Sequence, residues 1–183
     1  MNYFYLVPAA SVVALLFALY FFKQMMRESE GTEKMVAIAR YVREGAMSYL
    51  SQQYRVVTVV FVVLAILFGV MAFFGLQNNW VPFAFLTGGF FSGLAGFFGM
   101  KTATYASART ANAVQRSLNS GLQIAFRSGA VMGLVVVGLA LLDISVWYLV
   151  LDHFIEDEAS GHKLVMITTT MLTFGMGAST QAL

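Results

Sequence analysis

The chain has 183 residues, of which 59% are hydrophobic and only 11% are charged. This balance is far more apolar than that of a soluble domain and predicts an integral, multi-pass membrane protein whose surroundings are the lipid bilayer. The complete absence of cysteine excludes a disulfide framework and cysteine-ligated metal or redox centres, and we expect no nucleic-acid partner.

Uncharged stretches long enough to cross a bilayer recur along the chain. A crossing needs about 20 predominantly apolar residues; four stretches meet this without a charge, and a fifth is interrupted only by Asp143. The five predicted spans are residues 3–22, 56–76, 80–100, 128–151 and 164–183. The sequence therefore predicts an all-α fold, a polytopic transmembrane helical bundle, with residues 1–183 forming a single transmembrane domain.

Charged residues are concentrated between particular spans, and this predicts the topology. Ten of the 11 basic residues lie in segments 23–55 and 101–127, and cytoplasmic connections carry the excess of Lys and Arg in membrane proteins. The loop "DHFIEDEASGHK" at 152–163 is acidic instead, which suits the outer side. We therefore expect the N-terminus outside and the two basic segments in the cytoplasm.

Both cytoplasmic segments are predicted to be helical. After Thr32, the predicted N-cap, apolar residues recur at helical spacing, so we expect this helix to continue into the second span. The second segment is rich in small and polar residues and lacks proline. A polar helix or a helical hairpin is expected there.

Small residues follow one another at helical spacing in the third span, "TGGFFSGLAGFFGMK". Small residues four apart let two helix backbones approach closely within lipid. This pattern predicts a packing seam, with the lining of an ion or substrate path as the alternative. The residues concerned are Gly88, Gly89, Ser92, Gly93 and Gly96.

The fifth span is the most polar of the five and cannot present every face to lipid. Its hydroxyl groups would be unsatisfied against acyl chains, which favours an interior helix. Thr173, Ser179 and Thr180 are the candidates for lining an ion pathway. The alternative is that the hydroxyls bond back to carbonyls of the preceding turn.

Three further sets of residues have two interpretations each. Asp143 lies within a span, but its position four residues before Trp147 favours a solvated site at the outer interface over a functional intramembrane acid. The acids and histidines of 152–162 resemble a metal site only in ligand type, and a solvated acidic face is the preferred interpretation. The cytoplasmic arginines, Arg40, Arg43, Arg109 and Arg116, suit anionic lipid headgroups or an anionic substrate.

Four blocks of sequence, in order, resemble the N-terminal part of the membrane-integral inorganic pyrophosphatases. They are "REGAMSYLSQQYR" at 43–55, "GFFGMKTATYASARTANA" at 96–113, "AFRSGAVMGL" at 125–134 and "TFGMGASTQAL" at 173–183. The resemblance implies a homodimeric sixteen-helix pump that couples pyrophosphate hydrolysis to H⁺ or Na⁺ translocation across a membrane, here a bacterial plasma membrane. It implies Mg²⁺ as a cofactor of the parent protein and leaves K⁺ open as a second one.

The resemblance also implies that the catalytic residues lie elsewhere in the parent. The family's first catalytic elements, an arginine and the motif "KAADVGADLVGK", follow the segment similar to "GMGASTQAL". No catalytic or metal-binding residue is therefore carried over, and we expect residues 1–183 to be an N-terminal fragment that is inactive alone and binds no cofactor. The competing hypothesis is a non-enzymatic five-span membrane protein, such as a transporter component or an assembly subunit.

Overall fold

The computed structural model describes residues 3–155 and 162–181, and the part it describes is helical throughout, without strands. After a short 3₁₀ helix at Tyr3–Tyr5, five α-helices follow in chain order. They are α1 (Leu6–Met26), α2 (Glu33–Phe73), α3 (Val81–Arg116), α4 (Leu118–Phe154) and α5 (His162–Gln181). The predicted all-α class is confirmed.

Helices α1 to α4 are each long and apolar enough to cross a bilayer. Helix α5 has 20 residues but is less apolar, because its hydroxyl, glycine and amide residues dilute the aliphatic ones. The crossing by residues 164–183 therefore stays a prediction, and the last two of those residues lie outside the described part. The apolar stretch of α2 is exposed, including Val59, Val63 and Ile66, as expected of a face that contacts lipid.

Helix α2 joins the basic segment 23–55 to the second predicted span, and both of its ends are capped. The Thr32 hydroxyl accepts a hydrogen bond from the Met35 amide at 3.4 Å, which caps the N-terminus. At the other end Gly75 has a φ of +70°, and the amides of Gly75 and Leu76 donate back to the carbonyls of Ala72 and Met71. This is a Schellman cap, and the continuous helix predicted from the sequence is confirmed.

A single residue, Ser117, separates α3 from α4. Its hydroxyl accepts a hydrogen bond from the Ser120 amide at 3.1 Å and so caps α4. Of the two alternatives for segment 101–127, the structure shows one helix that ends at Arg116 and another that starts at Leu118.

The residues divide into two compact units. The first unit contains residues 54–94 together with the residues up to Ser11 and those from Leu139 onward. Its core is formed by Ala84, Trp147, Leu151, Ile167 and Phe174.

The second unit contains Val12–Gln53 and Ala95–Gly138. Its core is small, with Met25, Ala106, Ala113 and Ile124 at the centre and Phe22, Met26 and Tyr105 packed against them. The alanines let α1 approach α3 closely, since they add little bulk to the helix surface.

Candidate functional site

Helices α3 and α5 approach each other closely in the first unit. A Cβ atom added at Gly88 would overlap the carbonyl oxygen of Phe174, and one added at Gly177 would overlap the carbonyl oxygen of Phe85. Four residues after Gly88 along α3, the Ser92 hydroxyl donates to the Ala178 carbonyl at 3.0 Å. Backbone therefore meets backbone at both glycines, leaving no room for any side chain.

The other predicted packing residues contact different partners. A Cβ atom at Gly89 would overlap the ring of Phe61 on α2, whereas one at Gly93 would lie 3.3 Å from the Gln181 amide nitrogen on α5. Gly96 is half-buried. Gly88, Ser92 and Gly93 thus face α5 and Gly89 faces α2, where the sequence indicated a single seam.

The threonine hydroxyls of α5 bond back to carbonyls of the preceding turn. The carbonyl four residues earlier accepts from each of Thr168, Thr169, Thr170, Thr173 and Thr180, at 2.8–2.9 Å. Thr170 also accepts from the Asn78 side chain at 3.3 Å. The structure therefore shows the alternative given for these hydroxyls in the sequence analysis, in which they bond back within their own helix.

The three candidate pathway residues do not share one environment. Thr173 is buried, Thr180 is half-buried and Ser179 is exposed. At about 100° per residue, Thr173 and Thr180 lie on the same face of α5, and Ser179 lies about 120° away. The structure therefore brings two of the three together and leaves the third on another face.

Asp143 is buried within the first unit, so the prediction of a solvated position was wrong. Only 3% of the residue is exposed, and within the described residues its Oδ2 has no hydrogen-bond partner. The neighbouring polar side chain is Thr87 of α3. Sequence distance from Trp147 was a poor guide, because packing against α3 and not depth along α4 determines the exposure of Asp143.

Thr87 connects this acid to the core of the first unit. Its hydroxyl oxygen accepts a hydrogen bond from the Trp147 indole nitrogen at 2.7 Å and donates to the Ala84 carbonyl at 3.2 Å. Trp147 is 8% exposed, so its N–H group depends on this acceptor.

We expect Thr87→Val to lower the free energy of unfolding by about 1–3 kcal/mol, because valine keeps the shape but leaves the buried indole N–H without a partner. Thermal unfolding of the detergent-solubilised protein, followed by tryptophan fluorescence, measures the change. Thr87→Ser retains the hydroxyl and is the matched control. Equal stability of the valine and serine variants would contradict the assignment.

An ionic cluster holds the loop between α1 and α2 in the second unit. Glu30 accepts from Arg43 and from Arg109, each at 2.7 Å. Arg109, whose side chain is only 8% exposed, also donates to the carbonyls of Glu28 at 3.0 Å and Tyr105 at 2.7 Å. The ring of Tyr105 lies 4.5 Å beneath the Arg43 guanidinium. Both arginines are thus occupied within the chain.

The cluster changes the electrostatics of Glu30. The hydrogen bond from Arg43 holds the pKa of Glu30 below its ordinary value of 4.5, against the opposing effect of burial, and the charges of Arg109 and Arg43 lower it further. The carboxylate is therefore fixed in its ionised form at neutral pH. Sequence reasoning assigned Arg43 and Arg109 to lipid or substrate and missed Glu30, since a lone glutamate in a loop has no periodic pattern.

The acidic segment after α4 is described only in part. Asp152 forms an ion pair with Lys163 at 2.9 Å, whereas residues 156–161 lie outside the described part of the chain. Within residues 3–155 and 162–181, no group of three or more His, Asp or Glu side chains is placed to hold a metal ion. We assign no metal ligand among these described residues.

Comparison with known proteins identifies the family. The model for the inorganic H⁺ pyrophosphatase family matches residues 12–183. A relative from Bacteroides thetaiotaomicron, named a putative K(+)-stimulated pyrophosphate-energized sodium pump, is 72% identical over 183 residues, which cover 98% of this chain and 25% of the relative.

Two more distant relatives differ in the ion that their names specify. The K(+)-stimulated pyrophosphate-energized sodium pump of Thermotoga maritima is 40% identical over 80% of this chain and 19% of the relative. The K(+)-insensitive pyrophosphate-energized proton pump 2 of Moorella thermoacetica is 39% identical over 79% of this chain and 21% of the relative. The chain spans about a quarter or less of the length of these relatives, and it belongs to the inorganic H⁺ pyrophosphatase family.

Proposed function

We propose that the protein containing this chain couples the hydrolysis of inorganic pyrophosphate to Na⁺ transport and is stimulated by K⁺. The observation that carries the proposal is the 72% identity to a relative named as a putative K(+)-stimulated sodium pump, against 39% to one named as a proton pump. The relatives named above are all pumps, so the non-enzymatic alternative is not retained.

Within that protein, we propose a scaffolding role for these 183 residues. Pyrophosphate is highly charged, so Mg²⁺ and basic side chains must neutralise it, and an attacking water must be positioned. The described residues contain no group placed to hold Mg²⁺, so this chemistry is assigned to other parts of the protein. The close α3–α5 contact and the ionic cluster around Glu30 support a role in fixing helices.

The arrangement in the membrane belongs to the same proposal. We infer an N-terminus outside, the basic segments 23–55 and 101–127 in the cytoplasm, five crossings, and a place for these helices in a homodimer of sixteen-helix subunits in the bacterial plasma membrane. The segregation of basic residues supports the orientation. The relative from Bacteroides thetaiotaomicron is a bacterial protein named as a pump, which supports the bacterial plasma membrane.

Helix α5 is the element of this chain that we assign to the ion pathway. Thr173 and Thr180 share one of its faces and Ser179 adds a hydroxyl on another, and α5 is not apolar enough to join α1 to α4 as a candidate membrane span. Hydroxyl oxygens that already donate to a carbonyl keep acceptor lone pairs, which suit a passing cation. The small residues of α3 would then hold α5 in place.

Transport measurements test the proposal. In inverted membrane vesicles containing the full-length protein, we expect pyrophosphate to drive Na⁺ uptake that K⁺ stimulates and that a protonophore does not abolish. Vesicles without the protein are the control. Pyrophosphate-driven uptake that the protonophore abolishes, or acidification without Na⁺ uptake, would assign the pump to protons, and a lack of pyrophosphate hydrolysis would overturn the enzymatic assignment.

The same vesicles test the pathway assignment. Thr173→Val is expected to reduce the Na⁺ transported per pyrophosphate hydrolysed, because it removes an acceptor from the shared face. Thr168→Val is the matched control, since Thr168 forms the same back-bond but is exposed. An equal effect of both variants would contradict the assignment.

A further inference from the structure

A polar pocket lies in the second unit at the junction of three elements. It has a volume of about 120 Å³ and is lined by Glu28 before α2, Arg116 at the end of α3, and Ser120, Gln123, Ile124 and Arg127 of α4. We call it the arginine pocket. A water molecule occupies about 30 Å³ in the liquid. The pocket therefore has the volume of several water molecules, which is sufficient for a phosphate group.

The two arginines of the pocket differ from those of the Glu30 cluster. Arg116 is exposed and pairs with Glu28 at 3.1 Å, a contact that is open to solvent. Arg127 is half-buried, yet in the part of the chain that the structure describes no carboxylate lies within ion-pair distance of it. A guanidinium has five N–H donors, and Arg127 lines the cavity.

The backbone at Glu28, on one side of the pocket, is fixed by contacts that lie outside the pocket. The Arg109 side chain is held at two points: its Nε donates to the Glu28 carbonyl at 3.0 Å, and its Nη1 donates to the Glu30 carboxylate. The Asn112 side chain donates to the Ser29 carbonyl at 3.2 Å. The pocket is therefore formed before any ligand enters, which reduces the entropy that binding would cost.

Arg127 also lies at a defined depth along α4. It directly precedes the uncharged stretch that begins at Ser128 and ends before Asp143, and α4 is long and apolar enough to cross a bilayer. A basic residue at the first turn of such a stretch lies at the level of the lipid headgroups. Basic pockets between helices at this level bind anionic headgroups.

We propose that the arginine pocket binds a phosphate group, supplied either by an anionic lipid headgroup or by free inorganic phosphate. Arg127 donates to the phosphate oxygens from α4, Arg116 contributes the second positive charge, and Ser120 and Gln123 offer neutral donors. Glu28 holds Arg116 at the rim, so the lining keeps a net charge of +1 from two arginines and one glutamate. This site is independent of the proposed pumping activity.

The lipid arm of the test uses dioctanoyl-phosphatidylglycerol added to the delipidated, full-length protein in detergent, with dioctanoylglycerol as the lipid without phosphate. We expect the phosphatidylglycerol to raise the thermal midpoint and the dioctanoylglycerol to leave it unchanged. Arg127→Gln should weaken the apparent affinity about fivefold, the effect of one basic residue near a headgroup. Arg40→Gln is the matched control, because Arg40 is exposed and lies outside the pocket.

The phosphate arm repeats the titration with inorganic phosphate at constant ionic strength. Phosphate that binds elsewhere in the protein affects all variants equally. The informative quantity is therefore the difference in apparent affinity between Arg127→Gln and Arg40→Gln. A difference confined to the lipid arm identifies a headgroup site, and one confined to phosphate identifies a free-anion site. Equal behaviour of the two variants in both arms would overturn the proposal. If Arg127→Gln does not fold, Arg116→Gln, at an exposed position, carries the same test.

Discussion

Replacement of Gly177 by alanine is expected to lower the free energy of unfolding by roughly 3 kcal/mol, the upper part of the usual range for overpacking. The added methyl group would overlap the carbonyl oxygen of Phe85, and a backbone atom cannot move aside as a flexible side chain can. Helices α3 and α5 would have to separate, which also strains the Ser92 contact with Ala178. Thermal and denaturant unfolding of the detergent-solubilised protein measure the loss.

Gly175 provides the control on the same helix. A Cβ atom at Gly175 would meet nothing within 4 Å, so Gly175→Ala should be neutral or should stabilise the helix by about 0.5–1 kcal/mol, the usual gain over glycine. Similar stability of the two variants would show that α3 and α5 do not depend on close backbone contact. Gly88→Ala, opposite Phe174, should behave as Gly177→Ala does.

Replacement of Glu30 by glutamine is expected to cost about 3 kcal/mol at neutral pH. Removal of one partner from a buried ion pair costs about 3–5 kcal/mol, and the lower end applies because Glu30 is only partly buried and Arg109 keeps the carbonyls of Glu28 and Tyr105. The exposed pair of Arg40 and Glu44, at 3.9 Å, offers the control. Glu44→Gln should change stability by about 0.5 kcal/mol or less.

The cost of Glu30→Gln should depend on pH in a defined direction. The pKa of Glu30 is lower in the folded protein than its ordinary value of 4.5, so the unfolded chain binds the proton more readily and the carboxylate stabilises the fold above pH 4.5. This contribution is lost as the pH falls through the lower pKa of the folded state. The stability difference between the wild type and Glu30→Gln should therefore shrink below pH 4.5. A difference that is constant between pH 7 and pH 3 would contradict the ionic role.

The close contact of α3 with α5 was only partly predictable. The small residues at 88, 89, 92, 93 and 96 indicated that α3 approaches another helix, because small side chains at this spacing have that physical consequence. The partners could not be read from the same pattern. Gly88 meets Phe174 and Gly89 meets Phe61, and which neighbour faces each glycine depends on how the helices are arranged about α3.

Charges were predicted less well than helices. The number of Lys and Arg residues in a segment is enough to predict the side of the membrane on which that segment lies. The partner of each arginine, in contrast, depends on geometry across the fold. Glu30 is 79 residues from Arg109 in sequence and 13 from Arg43. The same limit applies to Asp143, whose burial is set by packing against α3.

The helices can be predicted from local sequence, because hydrophobic length, N-cap residues and terminating glycines act within a few residues of each other. The positions of Thr32 and Gly75 alone explain where α2 begins and ends. Which polar groups have partners depends on packing across the fold. Arg43 and Arg109 both pair with Glu30, Oδ2 of Asp143 has no hydrogen-bond partner among the described residues, and Arg127 lines a cavity. These outcomes depend on distances between residues far apart in the chain, which local physical preferences do not fix.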